Sequence, residues 1–235
     1  YTGLFGQISN GMEMGLYAGL YFIISLILLM GRRVIPFFIE KGVDETVQLK
    51  NRLWLDNVSM ALVPAFIYLQ VFTHSTAMAT GTALILALLH LWRMIGWYTP
   101  GIWQKPLLWI LYLAYAGITT GFALTALGNL NYLNPMLATH AFAYGGVGLM
   151  TLGMMARVAL GHTGRNVFAP PPVLSWIFAL AVAGVPARVG LPLFMPEMNT
   201  IWIGLSQTLW ILSFGMFSWV YAPMLFKPRV DGRYG

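Results

Sequence analysis

The feature that most limits how this chain can fold is a succession of apolar runs. Several reach about 20 residues, long enough to cross a bilayer. They cover residues 12–30, 58–72, 78–97, 106–127, 135–160, 173–194 and 201–226. In hydrocarbon every backbone N–H and C=O must find its partner inside the protein, so runs of this kind are helices. Composition points the same way. The chain is 58% hydrophobic and 9% charged, against about 25% charged in a soluble domain. An ordinary soluble globule is excluded. The expectation is an all-α polytopic membrane bundle of about seven helices, one domain over residues 1–235.

The links between the runs test that count. Arg32, Arg33, Lys41, Lys50 and Arg52 lie between the first and second spans. Arg93 and Lys105 lie around the third link, Arg157 and Arg165 around the end of the fifth span, and Lys227, Arg229 and Arg233 in the tail. The other three links carry no basic residue. Every basic residue but Arg188 thus falls on one side, which the positive-inside rule makes the cytoplasm. The N-terminus is placed outside and the C-terminus inside. The net charge of +6 is read as this loop bias, and nucleic acid is not a partner. The first run has no basic n-region or small-residue cleavage site, so it reads as a span and not as a signal peptide.

Residues 31–57 form the one long polar segment, expected as a cytoplasmic loop. Phe37, Phe38 and Trp54 suit a helix lying on the membrane surface there. Asp56 and Asn57 are N-cap candidates for the second span, and Pro64 is a candidate kink within it.

Ionisable groups inside spans are functional suspects. The chain has four His, 14 Met and no Cys, which excludes disulfides, thiolate metal sites and iron–sulfur clusters. The fifth span, HAFAYGGVGLMTLGMMARVALGHTGR, carries His140 near one end and His162 at the other. By the helical rise His140 lies about 8 Å in from the outer end, and His162 roughly 33 Å further on. One metal cannot take both, so they belong to two sites on opposite faces. Arg188 lies about 9 Å from the outer end of the sixth span, near the depth of His140. It needs an anion: Glu13, Glu197 or a haem propionate, the last placing the ring beside His140. His74, at the outer end of the second span, is a further metal-ligand candidate.

On the inner side His90 and Arg93 share a helix face, and Arg157, His162 and Arg165 gather nearby. Gly161 is placed to end the helix in a left-handed turn. GHTGR can then aim N–H groups, an imidazole and a guanidinium at an anion. Blander readings stand beside these. His90 and His74 are also ordinary helix–helix hydrogen-bonding residues. Arg157 and Arg165 also satisfy topology alone. Met150, Met154 and Met155 read as packing before copper ligation, and Gly145, Gly146, Gly148 and Gly153 as close helix approach.

The run from His140 to Arg165 resembles the signature of the NnrS family, bacterial inner-membrane proteins containing haem and copper. GRRVIPFF and WRMIGWYTPGIWQKPLLWILYLAYA are similar to further segments of that family, and together these cover most of the chain. His140, Arg157, Gly161, His162, Thr163, Gly164 and Arg165 match the family pattern, and Arg188 matches an arginine found there. Two departures mark the resemblance as one to a shortened or partial form. The family has further spans and an early His-x-His-Glu-Met-type motif that this sequence lacks, and Tyr112 stands where many members have His.

The resemblance implies haem b and copper as cofactors, with His140 and His162 as metal-ligand candidates; His90 and His74 join them as candidates by their places in the spans. Arg188, Arg157 and Arg165 are the cofactor-binding arginines. It also implies a role in nitric oxide handling, denitrification and resistance to nitrosative stress. No catalytic group is assigned. The alternative expectation is a non-catalytic electron-transfer or assembly subunit of a respiratory or denitrification complex in the same membrane. A transporter would gather charge at midplane, and a retinal receptor needs a lysine inside the last span, where Lys227 is only at its end.

Overall fold

The computed structural model describes residues 10–73 and 75–232, so His74 and Arg233 lie outside the described residues. Among these the structure is all helix, without a strand. Seven helices are long and apolar enough to cross a membrane: α1 Gly11–Gly42, α2 Leu53–Phe72, α3 Thr76–Trp97, α4 Pro106–Asn129, α5 Met136–His162, α6 Val173–Phe194 and α7, whose α-helical part is Asn199–Leu225. The chain is a multi-pass membrane protein.

The amino-terminal boundary differs from the expectation. α1 does not end at Arg32–Arg33 but runs on through Pro36 to Gly42. At 32 residues it is about 48 Å long, well beyond a hydrocarbon core of about 30 Å. Its last turns keep an apolar stripe, with Ile35, Pro36 and Ile39 buried against the bundle. Phe37 and Phe38 therefore belong to a spanning helix and not to a separate surface helix. α2 likewise starts at Leu53, before the expected caps, and Asp56 lies in its first turn facing another helix.

α4 is the hub. It packs against α1, α3, α5 and α6, and fifteen of its residues are buried. α7 is the opposite case, with only Ser206, Ser213 and Tyr221 buried, and it leans on α6 and α5. Lipid tails are as apolar as leucine, so burial of apolar area does little to hold these helices together; close packing and polar contacts do. Three interhelical contacts show the second. Gln70 and Asn129 exchange amide hydrogen bonds of 2.9 and 3.2 Å between α2 and α4. Ser213 donates to the Ile177 carbonyl at 2.7 Å between α7 and α6. Tyr112 donates to the Met94 carbonyl at 3.1 Å between α4 and α3.

Close packing is clearest where α4 meets α5. The Gly117 backbone lies directly against that of Gly145 and Gly146, where an added Cβ would overlap the Gly145 carbonyl. Neither backbone can yield without separating two central helices. Gly117→Ala is expected to destabilise the fold by about 1–3 kcal/mol or more, read as earlier unfolding in a denaturing-detergent titration. Gly204→Ala, which projects into open space, is expected to be neutral.

Candidate functional site

Three polar regions emerge at different heights in the bundle. The first is a cavity of ≈ 520 Å³ between α5, α6 and α7, near the start of α5, within the range of about 300–1,000 Å³ typical of ligand pockets. His140, Tyr144, Arg188, Ser206, Gln207 and Trp210 line it. His140 and Arg188, separated by 48 residues in sequence, are brought to one wall.

Local helix geometry contributes to that juxtaposition. Residues Ala141–Gly148 of α5 and Pro186–Gly190 of α6 are π-helical, a widened winding that is uncommon and often found at functional sites. In α6 the cause is local: Pro186 has no N–H to continue the α-helical ladder. Arg188 lies inside this widened turn, and His140 immediately precedes the other.

Two glycines make room for the aromatic walls. The Tyr144 hydroxyl occupies the place a side chain at Gly184 would take, and the Trp210 ring lies 2.5 Å from an ideal Cβ on Gly148. Tyr144 donates to the Ser206 carbonyl at 3.3 Å, and its ring lies 4.7 Å from that of Trp210. Within this frame the His140 ring makes no hydrogen bond to the described protein, and Arg188 Nη1 is buried without a partner. Neither Glu13 nor Glu197 meets Arg188. Glu13 instead lines a separate cavity of ≈ 540 Å³ at the same end of the bundle, with Tyr17, Gln70 and Asn129.

The second region is fully buried. His90 is at 0% exposure and Arg93 at 2%. Arg93 donates to Asp56 (2.8 Å), Ser59 (2.7 Å), the Leu55 carbonyl (3.2 Å) and the Tyr115 hydroxyl (2.8 Å). His90 Nδ1 lies 2.6 Å from the Tyr115 hydroxyl and 3.1 Å from Arg93 Nη1. A guanidinium can only donate, so Nδ1 is assigned as the acceptor and Nε2 carries the proton. Nε2 is buried without a partner, in a ring stacked on Phe122. A metal on Nε2 would need the proton moved to Nδ1, where it would face the Arg93 guanidinium at 3.1 Å and have the Tyr115 hydroxyl as its acceptor.

The third region is the far end of α5. The helix closes in a Schellman arrangement, with Arg165 N–H donating to the Leu160 carbonyl (2.8 Å) and Gly164 N–H to that of Gly161 (3.2 Å). The left-handed residue is Gly164, at φ +74°, and not Gly161, which stays helical. The tail locks onto this turn. Val230 N–H donates to the Thr163 carbonyl, and Arg229 donates to that of His162 at 3.1 Å. Asp231 takes two bonds from Arg229, which raise the guanidinium pKa further. Arg157 stacks its guanidinium on Phe38 at 3.6 Å, joining GRRVIPFF to MARV. His162 and Arg157 share a cavity here, and His90 is not part of it.

Tyr115, Ser59, Tyr144 and Trp210 were not legible as site residues. Only Tyr144 carried a signal, one helical turn beyond His140 on the same face. Among the described residues no group of three His, Asp or Glu side chains is placed to hold a metal. Met150 is buried, Met154 half-buried and Met155 exposed.

Fold and sites together define a seven-helix membrane protein that keeps an imidazole and an unpaired guanidinium in one aromatic-walled cavity. The chain belongs to the NnrS family: that family's pattern, described as NnrS protein, matches residues 1–229. No curated relative and no solved structure matches it.

Removing Asp56 leaves Arg93 charged and buried. Asp56→Ala is expected to cost about 3–5 kcal/mol, and the Asp56→Ala/Arg93→Met pair to recover most of it, as measured by thermal unfolding in detergent.

Proposed function

We propose that this chain is a haem-binding integral protein of the bacterial inner membrane, oriented with its N-terminus outside and its C-terminus in the cytoplasm. Its role is in nitric oxide handling, linked to denitrification and resistance to nitrosative stress. Family membership associates the chain with haem, copper and the response to nitric oxide. The observation that carries the reading for haem is the pairing of His140 with Arg188 Nη1, buried and without an acceptor, in a cavity walled by Tyr144 and Trp210.

The residue set fits a flat anionic macrocycle. His140 would hold the iron, Arg188 a propionate, and the aromatic rings would pack on the porphyrin faces. Haem bound there supplies an iron able to take a diatomic gas. The chain's own part is to orient and to exclude water. Tyr144 is fixed by its bond to the Ser206 carbonyl and by its place over Gly184. Arg188 brings a charge that lipid cannot neutralise. The described residues assemble no set of copper ligands, and no step is drawn through that metal.

A second reading, a non-catalytic subunit of a respiratory complex, draws on Gln207. Its side chain is exposed on α7 about 12 Å from the start of the helix, at the rim of the His140 cavity, where a neighbouring protein's polar group would serve it better than lipid. Co-purification of respiratory or denitrification subunits that is lost in Gln207→Leu would favour this reading. A chain that purifies alone would reject it.

Purified protein is expected to show a Soret band that His140→Ala removes and His162→Ala leaves. Arg188→Gln is expected to weaken haem retention about 10- to 100-fold, the worth of a charge-assisted hydrogen bond of about 1.5–3 kcal/mol. A colourless wild-type protein, reconstituted with haem and still without the band, would sink the proposal.

A further inference from the structure

The part-buried arginines divide by whether a carboxylate meets them. Arg32 and Arg93 share Asp56, at 3.9 and 2.8 Å, and Arg229 takes Asp231 at 2.7 Å. Arg188 at one end of the bundle, and Arg157 and Arg165 at the other, make no ion pair and donate no side-chain hydrogen bond among the described residues. Arg188 belongs to the cavity already treated. Arg157 opens a different question.

Its one aromatic contact is the Phe38 ring. Stacking occupies the flat face of the guanidinium and leaves the in-plane N–H edges to donate elsewhere. They border a cavity of ≈ 400 Å³ between α1, the end of α5 and the tail, lined also by Met154, Val158, His162 and Arg229. Met154, Val158 and His162 are spaced by four residues and so form one ridge of α5. The apolar pair lies below and the imidazole above. Gly161 beside them opens onto empty space, with nothing within 4 Å of an added Cβ.

Height along the helix fits that polarity. Arg157 is about 32 Å from Met136 and His162 about 39 Å. A hydrocarbon core of about 30 Å ends near the first, and headgroups begin there. Met154 and Val158 then face acyl chain, while Arg157 and His162 face headgroup. Topological charge bias alone would place these cations in water. It does not account for a half-buried guanidinium lacking an acceptor and set over an apolar wall.

We propose that this cavity binds a phosphate group, that of an acidic phospholipid. Arg157 and His162 donate to the phosphate, and one acyl chain lies along Met154 and Val158. Arg229, already neutralised by Asp231, holds the α5 terminus in place and is not the anion's partner. The site shares no residue with the His140 cavity, so it stands or falls separately from the haem reading.

The test uses the full chain purified in neutral detergent, with bound lipid counted by native mass spectrometry. Dioleoylphosphatidylglycerol, dioleoylphosphatidylcholine and inorganic phosphate are the probes. Phosphatidylglycerol is expected to be retained about tenfold better than phosphatidylcholine. Arg157→Gln should abolish the preference, and Arg33→Gln, an exposed cation at the same end, should keep it. If Arg157→Gln does not fold, Val158→Trp must lose the lipid by filling its apolar wall. Equal retention of the two lipids overturns the proposal. So does displacement of phosphatidylglycerol by equimolar inorganic phosphate, which would assign the cavity to a free anion.

Discussion

A guanidinium drawn into the interior of a membrane bundle needs an acceptor there, and the bundle is arranged around how the most buried one is met. Arg93 is the central case. It sits at 2% exposure, and its donors reach Asp56, Ser59 and the Leu55 carbonyl on α2 and Tyr115 on α4. One side chain on α3 thereby fixes the rotation and height of three helices. Asp56 extends the tie to α1 through Arg32 at 3.9 Å. Where apolar burial cannot discriminate one helix register from another, such a network can. It also explains the state of His90. That imidazole accepts from Tyr115 and Arg93 through Nδ1, which leaves its proton on Nε2.

The same economy applies to glycine. At Gly117 and Gly145 the missing side chains let two backbones touch, which places α5 at a fixed distance from the hub. At Gly184 and Gly148 they admit the Tyr144 hydroxyl and the Trp210 ring. One property, the absence of a Cβ, thus serves the fold in the centre and the His140 cavity at one end. The π-helical turns act with it. Pro186 widens α6 where Arg188 must reach the cavity, and the glycine-rich stretch after His140 does so on α5.

Much of the fold was legible in the sequence because a membrane span is a local property. Length and hydropathy suffice, and the seven spans fall close to where they were expected, apart from the start of α2 and, by the most, the end of α1. That end is instructive. Arg32 and Arg33 look like a membrane boundary, yet α1 continues because Ile35 and Ile39 keep packing against the bundle and Arg32 has Asp56 nearby. Tertiary partners made a charged position tolerable inside a helix. Asp56 was misread for the same reason. As a local signal it suits an N-cap, but its partner lies 37 residues away. Gly161 was expected to make the left-handed turn, and the hydrogen bonds of the closing turn put it at Gly164 instead. Tyr115 and Trp210 were invisible, since an aromatic residue in an apolar span carries no mark of what it faces.

The arginines without carboxylates are where the two kinds of reasoning meet. Sequence identified Arg157, Arg165 and Arg188 as cations, and topology accounted for the first two. Structure adds that a carboxylate was within the chain's means. Three of its other arginines have one, and Glu13 lies at the same end of the bundle as Arg188 without meeting it. A half-buried guanidinium without an anion costs desolvation, which stacking on Phe38 offsets only in part at Arg157. Its anion is then to be sought outside the polypeptide. At the His140 cavity the missing anion comes with an imidazole and aromatic walls, the chemistry of a macrocycle bearing carboxylates. At the far end of α5 it comes with an imidazole above and an apolar ridge below, the chemistry of a lipid. The identity of the cation does not separate these two ligands; the groups set beside it do.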